Sequence, residues 1–398
     1  MITIRDLWVF RKAKIVRDCI DLRRKQIFME VAPDKRYRAI CAYCGGKILV
    51  HQHENRVIRD MPLWDFSVFI TAHYRKGYCA RCGKIVVERL DYTKPGLRIT
   101  SRLAEYILGL GKKMSDADIA RVLGLSWKVV HKVHYEALSD KYDDMDYGNP
   151  RLLAVDEIAV RKGHKYATVI VDIENGRVLS IEKDRTTESL MNFYNKLSPK
   201  QREDIEAVAM DEWSPYINAT EQMLPNAEIV TDYFHIVKKY NAEVIDKVRA
   251  MTAKSIEILV DKSQIIKSKR FLLYKRKDKL NDTETAQLEH IFGTNQGLYI
   301  AYTLKDMLHA IFNSETVSEA IDKAQMFIKM AVESKIKPIR DYAAKVLKNM
   351  RHITNHAKYK ITTGIVEGIN NKIKNIKRRA YGIKDIQFLK LLAIDAFY

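Results

Sequence analysis

Nowhere in the chain do about 18 apolar residues run together, so the pattern excludes a membrane-spanning helix of ordinary length. The first ten residues, Met1 to Phe10, carry Arg5 and Asp6 where a cleavable signal would be apolar, and a soluble, intracellular, membrane-independent protein is expected. Proline and glycine are sparse, at 8 and 16 of 398 residues, and form no Ser/Gly/Pro-rich tract long enough for a disordered tail. Cysteine is limited to 5, of which four stand in two CxxC pairs. That usage suits metal binding in a reducing compartment better than disulfides, and leaves Cys19 as an ordinary buried thiol. Acidic residues are in deficit, 50 against 69 Lys and Arg, for a net charge of +19. A polyanion is the natural partner of such a chain, and nucleic acid fits best because Lys and Arg gain affinity from phosphates through counterion release. With 47% hydrophobic and 30% charged residues over this length, the chain is expected to be globular and to hold two or more domains.

Up to about Tyr92, short apolar runs alternate with polar turns, at Ile27 to Val31, Val57 to Met61, Val68 to Tyr74 and Ile85 to Leu90, and predict short strands. Between them lie Cys41-Ala-Tyr-Cys44-Gly45 and Cys79-Ala-Arg-Cys82-Gly83. In each, a tight turn aims two thiolates at one tetrahedral ion, for which zinc is the natural choice. The glycine after the second cysteine permits the turn and frees backbone N–H groups for the sulfurs. One structural zinc on Cys41, Cys44, Cys79 and Cys82 is expected, with His51 and His53 as less favoured substitutes.

Ser101 to about Ser139 reads as helical with a break. Ser115 can cap a first helix, Gly124 permits a tight turn, and Ser126 can cap a second helix whose Val130 and Val133 face inward. This pattern looks like a helix-turn-helix, with Lys128, His131 and Lys132 facing outward as candidates for base and phosphate contacts in a major groove.

After Asn149-Pro150 the pattern turns to β. Arg151 to Val160, Lys165 to Asp172 and Arg177 to Lys183 predict an antiparallel meander, with turns at Gly163 and at Glu174-Asn-Gly176. A helix over Thr187 to Leu197, a strand over Ile205 to Asp211, a helix over Trp213 to Leu224 and a strand over Ala227 to Thr231 follow. That is the element order of an RNase H-like sheet. From Asp232 to about Asn349 the chain reads as several helices, with a cap at Asn281-Asp-Thr-Glu284, and Thr363 to Tyr398 returns as a helix with a basic run. The expected fold class is a multidomain α+β chain: a zinc-ribbon-like β module over 1–92, a helix-turn-helix domain over 93–149, an RNase H-like α/β core over 150–240, an α-helical insertion over 241–350, and the C-terminal helix of the core over 351–398.

Three carboxylates suit the chemistry of a phosphodiester. Asp156 lies inside the apolar strand Leu152 to Val160, where an isolated charge would be costly. Asp211 ends the apolar run Ala207 to Met210, on a strand that neighbours the first in such a sheet. Glu367, near the start of a helix, is the best-placed third group, and Asn370, Asn371 and Lys374 share its face, where they can contact DNA or order the site. Converging oxygens of this kind favour Mg²⁺ or Mn²⁺, two per site, which steady the attacking and leaving oxygens of an in-line displacement. Adjacent Glu157 is turned to the opposite face by strand alternation.

These residues resemble the bacterial DDE transposases of the ISL-three insertion-sequence type over nearly the whole chain. The resemblance runs through the paired knuckles and the helix-turn-helix to Leu153-Ala-Val-Asp-Glu-Ile-Ala159, Met210-Asp-Glu-Trp-Ser-Pro-Tyr216, Asp232-Tyr-Phe-His235 and Gly364-Ile-Val-Glu-Gly-Ile-Asn-Asn-Lys-Ile-Lys374. It implies Asp156, Asp211 and Glu367 as metal ligands, Asp232 and His235 as active-site neighbours, and action on terminal inverted repeats and target DNA. On that reading Lys374, Lys377 and Arg378 grip phosphates beside the cut, the chain works as a homodimer on double-stranded DNA, and it resides in the bacterial cytoplasm with the nucleoid. The rival readings are a non-catalytic DNA-binding regulator and a related nuclease or integrase that shares the metal chemistry.

Overall fold

The structure is a computed structural model in which residues 10–94, 96–161, 165–255, 270–361, 364–380, 383 and 385–398 are described. The turn expected at Gly163 lies outside the described residues. The chain divides into two compact units, Met1–Met145 with Lys377–Ile383, and Asp146–Ile376 with Lys384–Tyr398.

The first unit opens with a sheet of β1 (Ala13–Asp21), β2 (Gln26–Pro33), β3 (Leu49–Leu63), β4 (Phe66–Cys79) and β5 (Lys84–Val87). Its order is β1-β2-β4-β3, with β5 paired to β4. Alternation puts Ile27, Met29 and Val31 of β2, Ile58 of β3, and Val68, Ile70 and Ala72 of β4 on one buried face. Strand β1 escaped the sequence pattern because Val16 and Ile20 point to solvent and no clean apolar alternation results. Cys19 lies on this strand and is exposed, contrary to the buried thiol expected.

Three helices follow, α1 (Ser101–Gly111), α2 (Asp116–Leu123) and α3 (Trp127–Tyr142). The Ser115 hydroxyl accepts from the Asp118 N–H, and Ser126 accepts from Val129 N–H, so each N-terminus has its cap. Gly124 ends α2 at φ 58°, the left-handed conformation that glycine adopts without a Cβ penalty. Val130 and Val133 of α3 bury against Ile119 and Leu123 of α2 and Leu103 and Ile107 of α1.

The second unit holds β6 (Leu152–Arg161), β7 (Lys165–Asp172), β8 (Arg177–Lys183), α4 (Thr187–Tyr194), α5 (Pro199–Glu203), β9 (Ala207–Met210), α6 (Ser214–Met223) and β10 (Glu228–Thr231). Its strand order is β10-β9-β6-β7-β8. The meander β6-β7-β8 is antiparallel, while β9 and β10 run parallel to β6. One face packs Leu153, Val155, Val208 and Met210 against Leu190, Phe193 and Tyr194 of α4 and Tyr216 and Ala219 of α6.

From α7 (Tyr233–Tyr240) the chain passes through a π-helical turn, Asn241–Ile245, into α8 (Asp246–Ser255). Helices α9 (Arg270–Tyr274), α10 (Asp282–Thr294), α11 (Gln296–Phe312), α12 (Val317–Glu333), α13 (Lys337–Lys348), α14 (Met350–Thr354) and α15 (His356–Tyr359) follow. They share a core with Tyr240, Leu298, Leu308, Phe327 and Ile339 at its centre. The capping box at Asn281 and Glu284 forms as the sequence pattern predicts. The C-terminal segment is two helices rather than one, α16 (Gly364–Arg379) and α17 (Ile386–Phe397).

Candidate active site and metal centre

Register assembles the acidic site. Val155 of β6 pairs with Met210 of β9, which in turn pairs with Thr231 of β10. The next residue on each chain is therefore Asp156, Asp211 and Asp232, three carboxylates in a row across neighbouring parallel strands. Val155 and Met210 bury into the core under α4 and α6, so alternation sends Asp156 and Asp211 to the opposite face. Asp232 also caps α7, its carboxylate accepting from Phe234 N–H at 2.8 Å.

The polar surroundings hold these groups in place. Asp156 accepts from the Glu157 N–H at 2.7 Å and from the Asn370 amide of α16 at 2.5 Å. Burial pushes the Asp156 pKa up; the Glu157 N–H and the nearby His235 pull it down, and the charges of Asp232 and Glu157 push it up again. Lys239 of α7 donates to Asp211 at 2.7 Å. His235, one turn earlier on the same helix, has Nδ1 at 3.5 Å from Asp232 and 4.0 Å from Asp211.

On α16, Glu367 and Asn370 differ in exposure. Glu367 lies exposed in the first turn, one turn before Asn370. The carboxylates of Asp156, Asp211 and Glu367 do not reach single-ion spacing: among the described residues, Cys41, Cys44, Cys79 and Cys82 are the one group of three or more His, Cys, Asp or Glu whose donor atoms all lie within 4.8 Å of one another. Of the two roles the sequence offers Asn370, DNA contact or ordering of the site, its surroundings favour the second: it is 4% exposed and its amide donates to Asp156. The reason lies in the helix's apolar stripe, Val366, Ile369, Ile373 and Ile376, on whose spacing Asn370 also falls. Asn371, Lys374 and Arg378 are exposed and Lys377 is half-buried.

Strand alternation sends Glu157 away from Asp156, as expected, and it meets a group that the sequence did not single out. Glu157 pairs with Arg185 at 2.9 Å. The Arg185 guanidinium lies 4.3 Å over the Tyr166 ring and 4.7 Å over Trp213, whose indole N–H donates to the Arg185 carbonyl at 3.0 Å. The available signal was Trp213, an aromatic two residues beyond Asp211 that no apolar periodicity requires.

In the first unit the four cysteines converge. Cys41 and Cys82 sulfurs lie 3.7 Å apart and Cys44 and Cys79 sulfurs 3.5 Å apart. Zn–S bonds of about 2.3 Å in a tetrahedron demand sulfur separations of about 3.8 Å, so the donor set fits zinc. Gly45 and Gly83 adopt φ 71° and 66°, and Tyr43 N–H and Gly46 N–H reach the Cys41 and Cys44 sulfurs at 3.4 Å each. Burial acts to raise the Cys41 pKa, but the backbone N–H groups of Cys44 and Tyr43 and the thiols of Cys44 and Cys82 together lower it. His51 and His53 stand on β3 at exposed positions, outside this cluster.

On α3, Lys128 and Lys132 are exposed. His131 departs from the outward orientation expected: it is 25% exposed, and its Nδ1 donates to the Asp116 carboxylate of α2 at 2.9 Å.

Comparison with known proteins places the chain in the class of transposases. A family model described as Transposase, of the ISL3 type, matches residues 153–393. The chain is 34% identical over 359 residues to the transposase for insertion sequence element IS1001 of Bordetella parapertussis, covering 90% of this chain and 88% of that one. It is 22% identical over 395 residues to the transposase for insertion sequence element IS1557 of Mycobacterium tuberculosis, covering 93% and 88%. The chain belongs to the ISL3 family of insertion-sequence transposases. Among its described residues, no helix is long and apolar enough to cross a membrane.

Proposed function

We propose that the protein binds the terminal inverted repeats of its insertion sequence, cleaves the DNA ends, and joins the freed 3′ hydroxyls to target DNA, with Asp156, Asp211 and Glu367 as catalytic ligands of two Mg²⁺ or Mn²⁺ ions. The observation that carries this reading is the shared register of Asp156 and Asp211 on paired parallel strands, with α16, the helix of Glu367, tied to Asp156 through Asn370. The five-stranded sheet, with its meander followed by alternating helices and strands, supports an RNase H-like core. On this reading the functional domains are the zinc module at 1–92, the helix-turn-helix at 93–149, the core at 150–240 and 351–398, and the helical insertion at 241–350.

The donor chemistry suits hard cations, although the three carboxylates do not stand at the spacing of one shared ion. The donors are carboxylate oxygens, and two buried atoms beside them, His235 Nδ1 and Asn370 Oδ1, make no hydrogen bond. When bound, such ions supply Lewis-acid stabilisation of charge on the attacking and leaving oxygens. The chain's own residues do the rest. Asn370 orients Asp156, and Lys239 holds Asp211 while leaving one of its oxygens outside that ion pair. Asp232 and His235 neighbour the ligands and set the field around Asp156. Lys374, Lys377 and Arg378 on α16 bear on phosphates near the cut, and Lys128 and Lys132 on phosphates of the repeats. The zinc module holds one structural ion on Cys41, Cys44, Cys79 and Cys82. Two ends must meet for transposition, so a homodimer forms on DNA, in the bacterial cytoplasm with the nucleoid.

The test is a cleavage and strand-transfer assay on duplexes that carry the repeats, with Mg²⁺. Wild type should cut and join, while Asp156→Ala should bind the repeats and do neither. Cutting by wild type without any joining would overturn the transposition reading, and cutting by Asp156→Ala would overturn the ligand assignment.

A further inference from the structure

We infer that Trp127 reads the repeat directly, by apolar contact with a thymine methyl in the major groove, and that His131 and Asp116 hold it in position rather than touching the bases. The inference rests on the reading of α2 and α3 as a helix-turn-helix that binds DNA.

Trp127 is the first residue of α3, the end of a recognition helix whose side chains reach base edges in this motif. It is 50% exposed, although Val130, Val133, Ile119 and Leu123 nearby provide a core it does not join. One face of its indole is covered by His131, with ring centroids 4.6 Å apart and planes within 10°. The i, i+4 spacing places the two rings one above the other on the helix surface. His131 is fixed in turn by its bond to Asp116, whose side chain is only 9% exposed and whose second oxygen accepts from His134 at 2.8 Å. A buried carboxylate on α2 thus orients a ring on α3, and that ring fixes the exposed indole. An aromatic held this way loses little side-chain entropy on binding.

The charge around the indole selects the partner. Lys128 and Lys132 are exposed on the same outward side of α3, and the whole chain carries +19, so the surface complements a phosphate-lined groove. Indole offers a single N–H and a large apolar face. In the major groove the matching feature is the C5 methyl of thymine, which no other base presents. Lysines at this position supply affinity without sequence, and the tryptophan supplies discrimination.

The experiment measures equilibrium binding of the full chain to duplexes bearing the element's terminal repeat and to a scrambled duplex, over a salt series. Trp127→Ala should weaken repeat binding on the order of tenfold while leaving scrambled-duplex binding and the salt slope unchanged. Replacing one thymine of the repeat by uracil, which removes only the methyl, should produce the same loss with wild type and no further loss with Trp127→Ala. His131→Ala should also weaken repeat binding, and His131→Phe, which keeps a ring beneath the indole, should restore it. Lys128→Ala should lower affinity for both duplexes and reduce the salt slope. Unchanged repeat binding by Trp127→Ala, or equal losses on both duplexes, overturns the inference. Equal losses for His131→Ala and His131→Phe overturn the positioning role. If Lys128→Ala also leaves both affinities and the slope untouched, then α3 does not meet DNA and the helix-turn-helix reading itself has failed.

Discussion

Burial raises the Asp156 pKa, and the acidic neighbours Asp232 and Glu157 contribute in the same direction against the pull of His235. A carboxylate so placed gains most from a cation. Divalent binding to the native state should therefore raise the melting temperature, with about 2.7 kcal/mol gained at a hundred times Kd. Asp156→Asn should flatten that response to Mg²⁺ in scanning calorimetry, and an undiminished rise in the variant would count against Asp156 as a ligand. Asn370 tests the geometry from the other side. Its amide is the bond between α16 and Asp156, so Asn370→Ala should lower the cleavage rate by roughly 10- to 100-fold, as outer-shell partners of metal ligands do, with repeat binding kept. A loss of binding equal to the loss of cleavage would return Asn370 to the DNA-facing group. The sequence did carry a signal for its burial. Asn370 stands four residues after Val366 and three before Ile373, on the apolar stripe, and a polar residue there needs a buried partner.

At the scale of elements, what could be read from sequence was what is local. Ser115, Gly124 and Ser126 act on backbone groups within a few residues, and all three take the roles their chemistry predicts. Gly124 is conformationally required: a Cβ there meets no atom within 4 Å, so the cost of an alanine is that of the left-handed backbone alone. Gly124→Ala should destabilise this unit by about 1 kcal/mol, and a variant as stable as wild type in urea titration would show that the turn relaxes. The order β10-β9-β6-β7-β8 and the row of Asp156, Asp211 and Asp232 were less legible, because strand pairing joins residues far apart in sequence and register decides which face each side chain takes. The helical body was legible as helices but not in its polar core. There the Tyr233 hydroxyl and His309 Nδ1 share a hydrogen bond across α7 and α11. Burial, with Arg276 and Lys305 adding to it, lowers the His309 pKa from 6.5 to about 4. The unfolded chain therefore takes up the proton first. The stability this histidine contributes is full above pH about 6.5, and it is lost as pH falls through the folded pKa, a change on the order of 2–3 kcal/mol. His309→Gln should flatten the stability profile across that window, and the same acid slope in both proteins would refute the assignment.

Across the whole molecule apolar burial is uneven, and within the first unit the sheet and the helices α1 to α3 have cores of their own. The helical body and second sheet bury large continuous cores, whereas the cysteine knuckles rest on Ala39, Ile48 and Val86 besides the cysteines themselves. So small an apolar set supplies little burial energy, and four sulfurs within 4.8 Å of one another are the element that can close the knuckles through a metal. The full chain should accordingly contain about one zinc per molecule. Cys44→Ser or Cys79→Ser should abolish that stoichiometry and lower the earlier of two calorimetric transitions, leaving the later transition near its wild-type temperature, because the residues of the second unit supply none of the zinc ligands. A single transition that falls as a whole in either variant would mean that the cysteine knuckles and the second unit unfold cooperatively. Unaltered transitions with zinc gone would mean that the knuckles fold without it. The separation matters for function because loss of zinc should then leave the Mg²⁺-induced rise in the later transition, which the proposed ligands Asp156, Asp211 and Glu367 would produce, in place.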